Sequence, residues 1–285
     1  MIRFTKMHGL GNDYLMIDAM DRAPEEEKLP GLARVMSDRH FGIGADGIIL
    51  VLPSRIADFR MRMFNADGSE GEMCGNGVRI FAKFVYERGY TREKDLQIET
   101  LAGIIRPRLR LDGGEVKSVK VDMGEPRLRR AEIPMKGPDA PRVVGEKLRV
   151  AGKQIQFTAV SMGNPHCVLF VDHVDRAEVE TLGPAIENHD LFPRRTNVEF
   201  VRVISESELE MRVWERGSGE TLACGTGASA ALVAAVLNEK TQRKATLRLR
   251  GGNLCVNWSA ENNHVFIDGP AAEVCTGETR LDETV

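Results

Sequence analysis

The sequence predicts an α+β fold in which one structural unit occurs twice. Three observations lead to this prediction. Most segments with a regular hydrophobic pattern alternate as half-buried strands do, few segments have a helical pattern, and two short motifs recur in the same order in both halves of the chain. The 285 residues are enough for two domains of ordinary size.

Strands are predicted wherever apolar and polar residues alternate. Residues 96–100, 116–121 and 209–214 have this pattern. The Gly-Gly pair at 113–114 predicts a hairpin turn between the strand at 116–121 and a preceding strand at 106–111.

Four helices are predicted, at residues 25–38, 78–88, 176–187 and 228–238. The second and fourth are apolar on most sides, which is typical of buried helices. Gly89 is placed to end the second helix.

The segment 124–145 is rich in proline and glycine and is basic, which predicts an extended connection that divides the chain near its middle. The basic residues 127–130 within it are interpreted as solvated rather than as a phosphate site.

The repeat rests on two pairs of motifs. Gly11-Asn12 and Gly163-Asn164 each precede an apolar strand that ends in Asp, and Cys74-Gly-Asn-Gly is echoed by Cys224-Gly-Thr-Gly. Asn12 and Cys74 are 62 positions apart, and Asn164 and Cys224 are 60 apart. Two motifs at nearly equal spacing predict a duplicated unit.

Each Cys-Gly-x-Gly turn is predicted to lie at a helix N-terminus. Glycine lets backbone N–H groups approach a ligand closely, and a helix N-terminus favours negative charge. We therefore expect the pKa of the Cys74 and Cys224 thiols to fall, and a substrate carboxylate to bind beside each. Cys167, Cys255 and Cys275 lie in strand-like runs and are interpreted as structural.

Two thiols in equivalent positions of a repeat suit the inversion of a carbon acid, which needs a base on one face and an acid on the other. A redox disulfide between them under oxidation is an alternative that the sequence leaves open. A hydrolase pair of His166 and Cys224 would leave Cys74 and the repeat unexplained.

Composition excludes several classes of function. The formal net charge of -3 and the pI near 6.1 provide no basic surplus for a nucleic acid partner. No apolar run is long enough for a membrane helix, and the N-terminus has no export signal. Five widely spaced cysteines then predict reduced thiols in the cytoplasm.

Two ligand motifs are also discounted. The six histidines have no metal-ligand spacing, so no metal is expected. The G-x-G-x-x-G pattern at 42–47 follows a predicted helix and precedes a predicted strand, the reverse of a dinucleotide site.

Residues 65–79 resemble the signature of the diaminopimelate epimerase family, which is Asn-x-Asp-Gly-Ser, four residues, and then Cys-Gly-Asn-Gly-x-Arg. Residues 9–14, 163–166, 195–199 and 214–221 resemble the other blocks of this family, in order. The resemblance covers essentially the whole chain.

The resemblance implies two pseudo-symmetric domains, each a curved, mostly antiparallel sheet wrapped around a central helix. The N-terminal half would comprise residues 1–123 and 271–285 and carry Cys74, and the C-terminal half would comprise residues 124–270 and carry Cys224. The implied activity is the cofactor-independent epimerisation of LL- to meso-2,6-diaminopimelate, in lysine and peptidoglycan-precursor biosynthesis. Diaminopimelate is the expected small-molecule partner, and a homodimer the expected assembly.

The resemblance also implies the site residues. Cys74 and Cys224 would be the acid and base, and His166 and Glu215 would tune their pKa values. Substrate would be bound by ten residues, which are Asn12, Asn65, Gly75, Asn76, Asn164, Asn197, Glu215, Arg216, Gly225 and Thr226.

Two departures from the family pattern are evident. Some members carry Gln where this chain has Gly47, and others carry Ser where it has Thr226. Two alternative functions stay open, a two-thiol racemase of the proline racemase type and a non-catalytic thiol switch or metabolite-binding protein.

Overall fold

The computed structural model describes residues 1–280, and the end of the predicted N-terminal half, 281–285, lies outside the described residues. Within residues 1–280 the chain forms nineteen strands, four α-helices and three 3-10 helices. The strands are β1 (Ile2–Gly9), β2 (Asn12–Asp18), β3 (Gly47–Leu52), β4 (Phe59–Asn65), β5 (Glu70–Gly71), β6 (Ile98–Thr100), β7 (Gly103–Ile105), β8 (Arg108–Asp112), β9 (Glu115–Asp122), β10 (Val143–Val150), β11 (Lys153–Ser161), β12 (Pro165–Phe170), β13 (Asn197–Ser205), β14 (Glu208–Glu215), β15 (Gly219–Thr221), β16 (Lys244–Leu249), β17 (Gly252–Trp258), β18 (Val265–Gly269) and β19 (Ala272–Thr279). The α-helices are α1 (Leu29–Ser37), α2 (Gly75–Glu87), α3 (Val179–Glu187) and α4 (Gly225–Leu237), and the 3-10 helices are Glu26–Lys28, Arg130–Glu132 and Val174–Arg176.

The chain divides into two compact units. The first contains Met1–Val121 and the segment from Gly269 onward, and the second contains Asp122–Asp268.

The first unit contains a sheet with the strand order β19-β1-β2-β3-β4-β6-β7, and β5 pairs with β4. The β2/β3 and β4/β6 pairs are parallel, and the other pairs are antiparallel. Helix α1 contacts β3 and β4, whereas α2 contacts β1, β2 and β3. Leu15 and Ile17 of β2 belong to the apolar cluster that contains α1. Because side chains alternate along a strand, Asn12, Tyr14 and Met16 point to the opposite face of the sheet.

In the second unit the sheet has the order β10-β11-β12-β13-β14-β16-β17-β18, and β15 pairs with β14. The β12/β13 and β14/β16 pairs are parallel. Helix α4 is buried along almost its whole length and contacts β11 to β14, β16 and β17. A second apolar cluster joins α3 to β10, β11, β12 and β13.

The strand pairings confirm the predicted duplication. From β1 to β7 and again from β11 to β17, the pairs run antiparallel, parallel, antiparallel, parallel and antiparallel. A short extra strand pairs with the fourth strand of each run. Helices α2 and α4 lie at the same place in this order, and each has 13 residues.

Both repeated helices begin three residues earlier than predicted, at Gly75 and Gly225. Their first turns contain glycine, which contributes nothing to an apolar pattern, so the pattern becomes visible only after the helix has begun. Gly89 ends α2 as predicted, with φ +79° and its N–H donating to the carbonyl of Tyr86.

Other predicted elements are present with different bounds. The helix predicted at 25–38 is a 3-10 turn followed by α1, and the helix predicted at 176–187 starts at Val179. The strand predicted at 96–100 is limited to Ile98–Thr100. Gly113 and Gly114 form the predicted hairpin turn between β8 and β9, both with positive φ.

The prediction of a solvated, extended connection at 124–145 is wrong in part. Ile133 and Met135 lie in the apolar core of the second unit. Arg130 has only 6% of its surface exposed, and its guanidinium forms an ion pair with Glu146. This ion pair and the carbonyl of Lys136, which accepts from Arg130 at 3.1 Å, provide partners for the two terminal nitrogens of the buried guanidinium.

Across residues 1–280, every helix is too short or too polar to cross a lipid bilayer.

Candidate active site

Cys74 is the N-cap residue of α2. Its backbone is extended (φ -135°, ψ 123°), its side chain is half-buried, and its carbonyl accepts the first helical hydrogen bond, from Val78 at 2.8 Å. The N–H groups of Gly75 and Asn76 belong to the first helical turn, where an α-helix supplies no acceptor of its own. The Cys74 turn therefore lies at a helix N-terminus, as the sequence predicts, and the binding of a carboxylate there stays a prediction.

Asn12 connects β2 to the Cys74 thiol. Its Nδ2 donates to Oδ2 of Asp46 at 2.6 Å, and this contact fixes the orientation of the amide. Its Oδ1 consequently faces α2, where it accepts from the Cys74 thiol at 3.6 Å and from Nδ2 of Asn76 at 3.1 Å. The structure thus brings together three predicted site residues of the first unit.

Arg79 supports this arrangement from inside α2. Its side chain is fully buried, and it donates to Oδ1 of Asn76 at 2.8 Å, to the carbonyl of Gly75 at 3.4 Å and to the carbonyl of Pro270 at 3.3 Å. Because Arg79 binds the oxygen of the Asn76 amide, the nitrogen of that amide must point to Asn12.

Asp46 is itself held by an ion-pair network on the other side of Asn12. Arg39 donates to Asp46 at 2.8 Å and to Asp13 at 2.7 Å, and Lys6 lies 3.1 Å from Asp13. Burial alone would raise the pKa of Asp13, but Arg39 and Lys6 together hold it below its usual value. Asp13 therefore stays charged and keeps Arg39 in place beside Asp46.

Asn65 lies at the end of β4 and donates to Oγ of Ser69 at 3.0 Å. Its partner across the sheet is Gly47. A Cβ atom at Gly47 would lie 2.2 Å from the carbonyl oxygen of Phe64, so the Gln that some members of the resembled family carry here does not fit on this backbone without a shift.

Cys224 caps α4 as Cys74 caps α2, with φ -127° and ψ 115°. Its thiol accepts from the N–H of Gly227 at 3.4 Å and lies 3.4 Å from Oγ1 of Thr226. The hydroxyl of Thr226, which a Ser at this position would also supply, therefore reaches the thiol.

The expectation of a lowered pKa is wrong for Cys224. Burial raises the pKa of this thiol well above its usual value, and the charges of Glu215 and Glu199 raise it further. The contacts with Thr226 and Gly227 lower it, but by less. Cys224 is only 5% exposed, so desolvation of the thiolate outweighs the helix N-terminus.

His166 and Glu199 form a fully buried pair beside Cys224. Nδ1 of His166 lies 2.6 Å from Oε1 of Glu199, and Nε2 lies 2.9 Å from Oδ1 of Asn164. Because an amide oxygen only accepts, Nε2 must carry a proton. The Nδ2 of Asn164 then points to Oγ1 of Thr226, at 3.4 Å.

Asn197 and Arg216 are joined through the backbone rather than through the guanidinium. Oδ1 of Asn197 accepts from the N–H of Arg216 at 2.9 Å, and its Nδ2 donates to the carbonyl of Pro165 at 3.0 Å. The Arg216 side chain is exposed and donates to the carbonyl of Arg194 at 2.9 Å. Glu215 accepts from Oγ1 of Thr221 at 2.5 Å.

The other three cysteines lie in strands, as the sequence predicts, with Cys167 in β12, Cys255 in β17 and Cys275 in β19. In residues 1–280, no group of three or more His, Cys, Asp or Glu side chains is arranged to hold a metal ion.

Four polar residues that interact with predicted site residues were given no role in the sequence analysis. They are Tyr14 and Asp46 beside Asn12, Arg79 beside Asn76, and Glu199 beside His166. A signal existed for Glu199, because it follows Asn197 by two positions in strand β13 and therefore shares its face. For Arg79 the signal was a charge within the first turns of a buried helix.

Glu215→Gln is expected to shift the alkylation of Cys224 by iodoacetamide to lower pH. Removing the Glu215 charge removes a cause that raises the pKa of the Cys224 thiol, so the thiolate forms at lower pH. The rate at each pH is measured by mass spectrometry of the Cys224 peptide. Glu210→Gln, on the same strand, is the matched control, and an unshifted profile in Glu215→Gln would contradict the stated origin of the shift.

Sequence comparison relates the chain to one family over most of its length. Residues 4–129 and 158–274 match the profile of the family described as diaminopimelate epimerase. The diaminopimelate epimerase of Moorella thermoacetica is 57% identical over 282 residues, which cover 99% of this chain and 100% of that protein. The diaminopimelate epimerase of Pelotomaculum thermopropionicum is 55% identical over 97% of this chain and 98% of that protein.

Solved structures with low sequence identity have the same fold. A probable proline racemase from Agrobacterium radiobacter superposes with a TM-score of 0.73 at 16% identity, covering 100% of this chain and 94% of that chain. A Bacillus anthracis protein of the PhzF family, which is named for phenazine biosynthesis, gives a TM-score of 0.69 at 18% identity, with coverages of 98% and 99%.

Proposed function

The chain belongs to the diaminopimelate epimerase family, and from this membership we infer that it is an isomerase that interconverts LL- and meso-2,6-diaminopimelate in lysine biosynthesis. We propose that Cys74 and Cys224 are the acid and base of this reaction and that no cofactor takes part. The meso product would also enter peptidoglycan-precursor synthesis.

One observation carries the roles of the two cysteines. The two helices that occupy equivalent places in the repeated topology each begin at a cysteine N-cap, with nearly the same backbone angles. The proposed halves of the enzyme, residues 1–123 with 271–285 and residues 124–270, would therefore each supply one thiol.

The proposed reaction balances protons and charge. A thiolate removes the α-proton from one face of the substrate and becomes a thiol, while the other thiol delivers its proton to the opposite face and becomes a thiolate. The raised pKa of Cys224 keeps this thiol protonated near neutral pH. In the protein with Cys224 protonated, Cys224 is the proton donor and Cys74 is the base.

The helix N-termini would stabilise the negative charge that develops when the α-proton leaves. This charge spreads into the α-carboxylate, which the N–H groups of Gly75, Asn76, Gly225 and Thr226 are proposed to bind. Such donors are worth most where they are already fixed before the reaction, as they are in the first turn of a helix.

Six residues are proposed to hold the remaining amino and carboxylate groups of the substrate, and they are Asn12, Asn65, Asn164, Asn197, Glu215 and Arg216. Arginine binds a carboxylate in bidentate fashion, and glutamate pairs with an ammonium group. An ammonium group beside Glu215 would offset the charge that raises the pKa of Cys224, so bound substrate would favour the thiolate that forms when Cys224 delivers its proton. His166 would act on Cys224 through Asn164 and Thr226.

The proposed assembly is a homodimer in the cytoplasm. Sedimentation equilibrium of the purified protein tests the assembly, and a monomer at all concentrations would contradict it.

Proton NMR of LL-diaminopimelate in D₂O with the reduced protein tests the proposed function, with proline in parallel. We expect loss of the α-proton signal together with appearance of the meso isomer. Exchange of proline alone would indicate that the substrate is proline, as for a proline racemase, and would contradict the proposed function. Binding of diaminopimelate without exchange would favour the metabolite-binding alternative.

A further inference from the structure

Tyr14 lies on the same face of β2 as Asn12, two residues further along the strand. This face is the one that α2 contacts, and the side chain of Tyr14 is only 4% exposed. Interactions with the side chains of Cys74 and Asn12 are among the causes that set the pKa of its hydroxyl. Asn12, on this same face, accepts from the Cys74 thiol at 3.6 Å, so the buried phenol of Tyr14 lies on the face of the sheet that meets a thiol used by the proposed reaction.

The adjacent strand leaves room for the Tyr14 ring. Leu15 pairs with Ile48 in the β2/β3 ladder, so Tyr14 and Gly47 are neighbours. A Cβ atom at Gly47 would lie 3.1 Å from Cε1 of Tyr14, closer than an ordinary contact. The absence of a side chain at Gly47 therefore leaves space for the ring of Tyr14.

Tyr14 stays protonated over the range in which a thiol titrates. Burial raises the pKa of Tyr14 well above its usual value, and the charge of Cys74 and an interaction with its side chain raise it further. A protonated phenol beside a thiolate donates a hydrogen bond to it. Asn12 has the complementary role, because its Oδ1 accepts from the protonated thiol at 3.6 Å.

The charged groups around Asn12 and Asn76 have partners of their own. Asp46 accepts from Asn12, and Asp13 is paired with Arg39 and Lys6. Arg79 donates to Asn76 and to backbone carbonyls. A hydrogen bond from Tyr14 would add to the stabilisation of the Cys74 thiolate.

We propose that Tyr14 is a further catalytic residue, whose hydroxyl donates a hydrogen bond to the Cys74 thiolate and stabilises it as the base. This proposal rests on the proposed role of Cys74. It predicts that the phenol matters in the free protein as well as during turnover, since the thiolate forms before the α-proton is removed.

The test is the pH profile of iodoacetamide alkylation at Cys74 in Tyr14→Phe, measured on the intact folded protein by mass spectrometry of the Cys74 peptide. Hydrogen bonds to charged groups contribute about 1.5–3 kcal/mol, so we expect the Cys74 alkylation rate near neutral pH to fall about 10-fold or more and the profile to shift to higher pH. The Cys224 peptide should be unaffected. The epimerase kcat should fall by a similar factor.

Tyr86→Phe is the matched control, because Tyr86 is a buried tyrosine on α2. It should leave the Cys74 profile unchanged. An unchanged Cys74 profile in Tyr14→Phe overturns the proposal, whatever the epimerase rate. Failure of the proposed function would be recognised separately, as an inactive wild type or an active Cys74→Ala variant.

Discussion

Cys74→Ala and Cys224→Ala are each expected to lower the rate of epimerisation by about 10²–10⁴-fold. A positioned general acid or base contributes about 10²–10⁴-fold, and alanine can neither remove nor deliver a proton. Because one thiol serves each face of the α-carbon, the remaining cysteine cannot substitute for the missing one. The rate is measured by proton NMR of LL-diaminopimelate in D₂O.

Cys275→Ala is the matched control, because Cys275 is an exposed cysteine on β19. It should retain wild-type activity. Both active-site variants should remain folded, and Cys224→Ala should lose about 1 kcal/mol of the free energy of unfolding because the N–H of Gly227 loses the thiol as its acceptor. Substantial epimerisation by either variant would contradict the two-thiol mechanism.

The duplication was predictable because it depends on local signals. Glycine at a turn, an apolar run and a Cys-Gly-x-Gly motif have the same meaning wherever they occur in a chain, and their spacing in the two halves led directly to the two cysteine N-caps. The parallel β2/β3 and β12/β13 pairs were not predictable, because the hydrophobic alternation of a strand does not reveal the direction of its neighbour.

The pKa of Cys224 was not predictable from the residues that are near it in the sequence. The N–H of Gly227 stabilises a thiolate, as the sequence predicts, but burial by the surrounding elements and the charges of Glu215 and Glu199 outweigh it. These residues precede Cys224 by 9 and 25 positions, so their approach depends on tertiary structure. The burial of Arg130 was missed for the same reason, since Glu146 lies on another element.

Asn12 and Asn164 were predictable in part. The family resemblance identifies Asn12 and Asn164 as site residues, but their amide orientations follow only from the structure. Asp46 orients Asn12, and the protonated Nε2 of His166 orients Asn164. The amide orientation of each asparagine is therefore fixed by a partner that the sequence analysis did not connect with it.

Arg79→Met is expected to impair both stability and catalysis. The change keeps much of the side-chain volume but leaves the oxygen atoms of Gly75, Asn76 and Pro270 without the guanidinium. A buried acceptor left unsatisfied costs about 1–3 kcal/mol, so the free energy of unfolding should fall by about 3 kcal/mol or more. Urea unfolding measures this change.

The catalytic effect of Arg79→Met follows from the orientation of Asn76. Without the guanidinium, the Asn76 amide loses the contact that Arg79 makes to its oxygen, and this weakens its orientation toward Asn12, whose Oδ1 faces the Cys74 thiol. A displacement of about 1 Å at a reacting group can cost about 10²-fold, so kcat should fall by 10- to 100-fold even where the variant is fully folded.

Arg88→Met separates these effects from a general loss of charge on α2. Arg88 caps the opposite end of the helix and forms a partly exposed ion pair with Glu273. Such pairs contribute about 0–1 kcal/mol, so this variant should keep its activity and lose little stability. If Arg79→Met were destabilised while its kcat stayed at the wild-type value in folded protein, Arg79 would support the helix alone and the orientation of Asn76 would not depend on it.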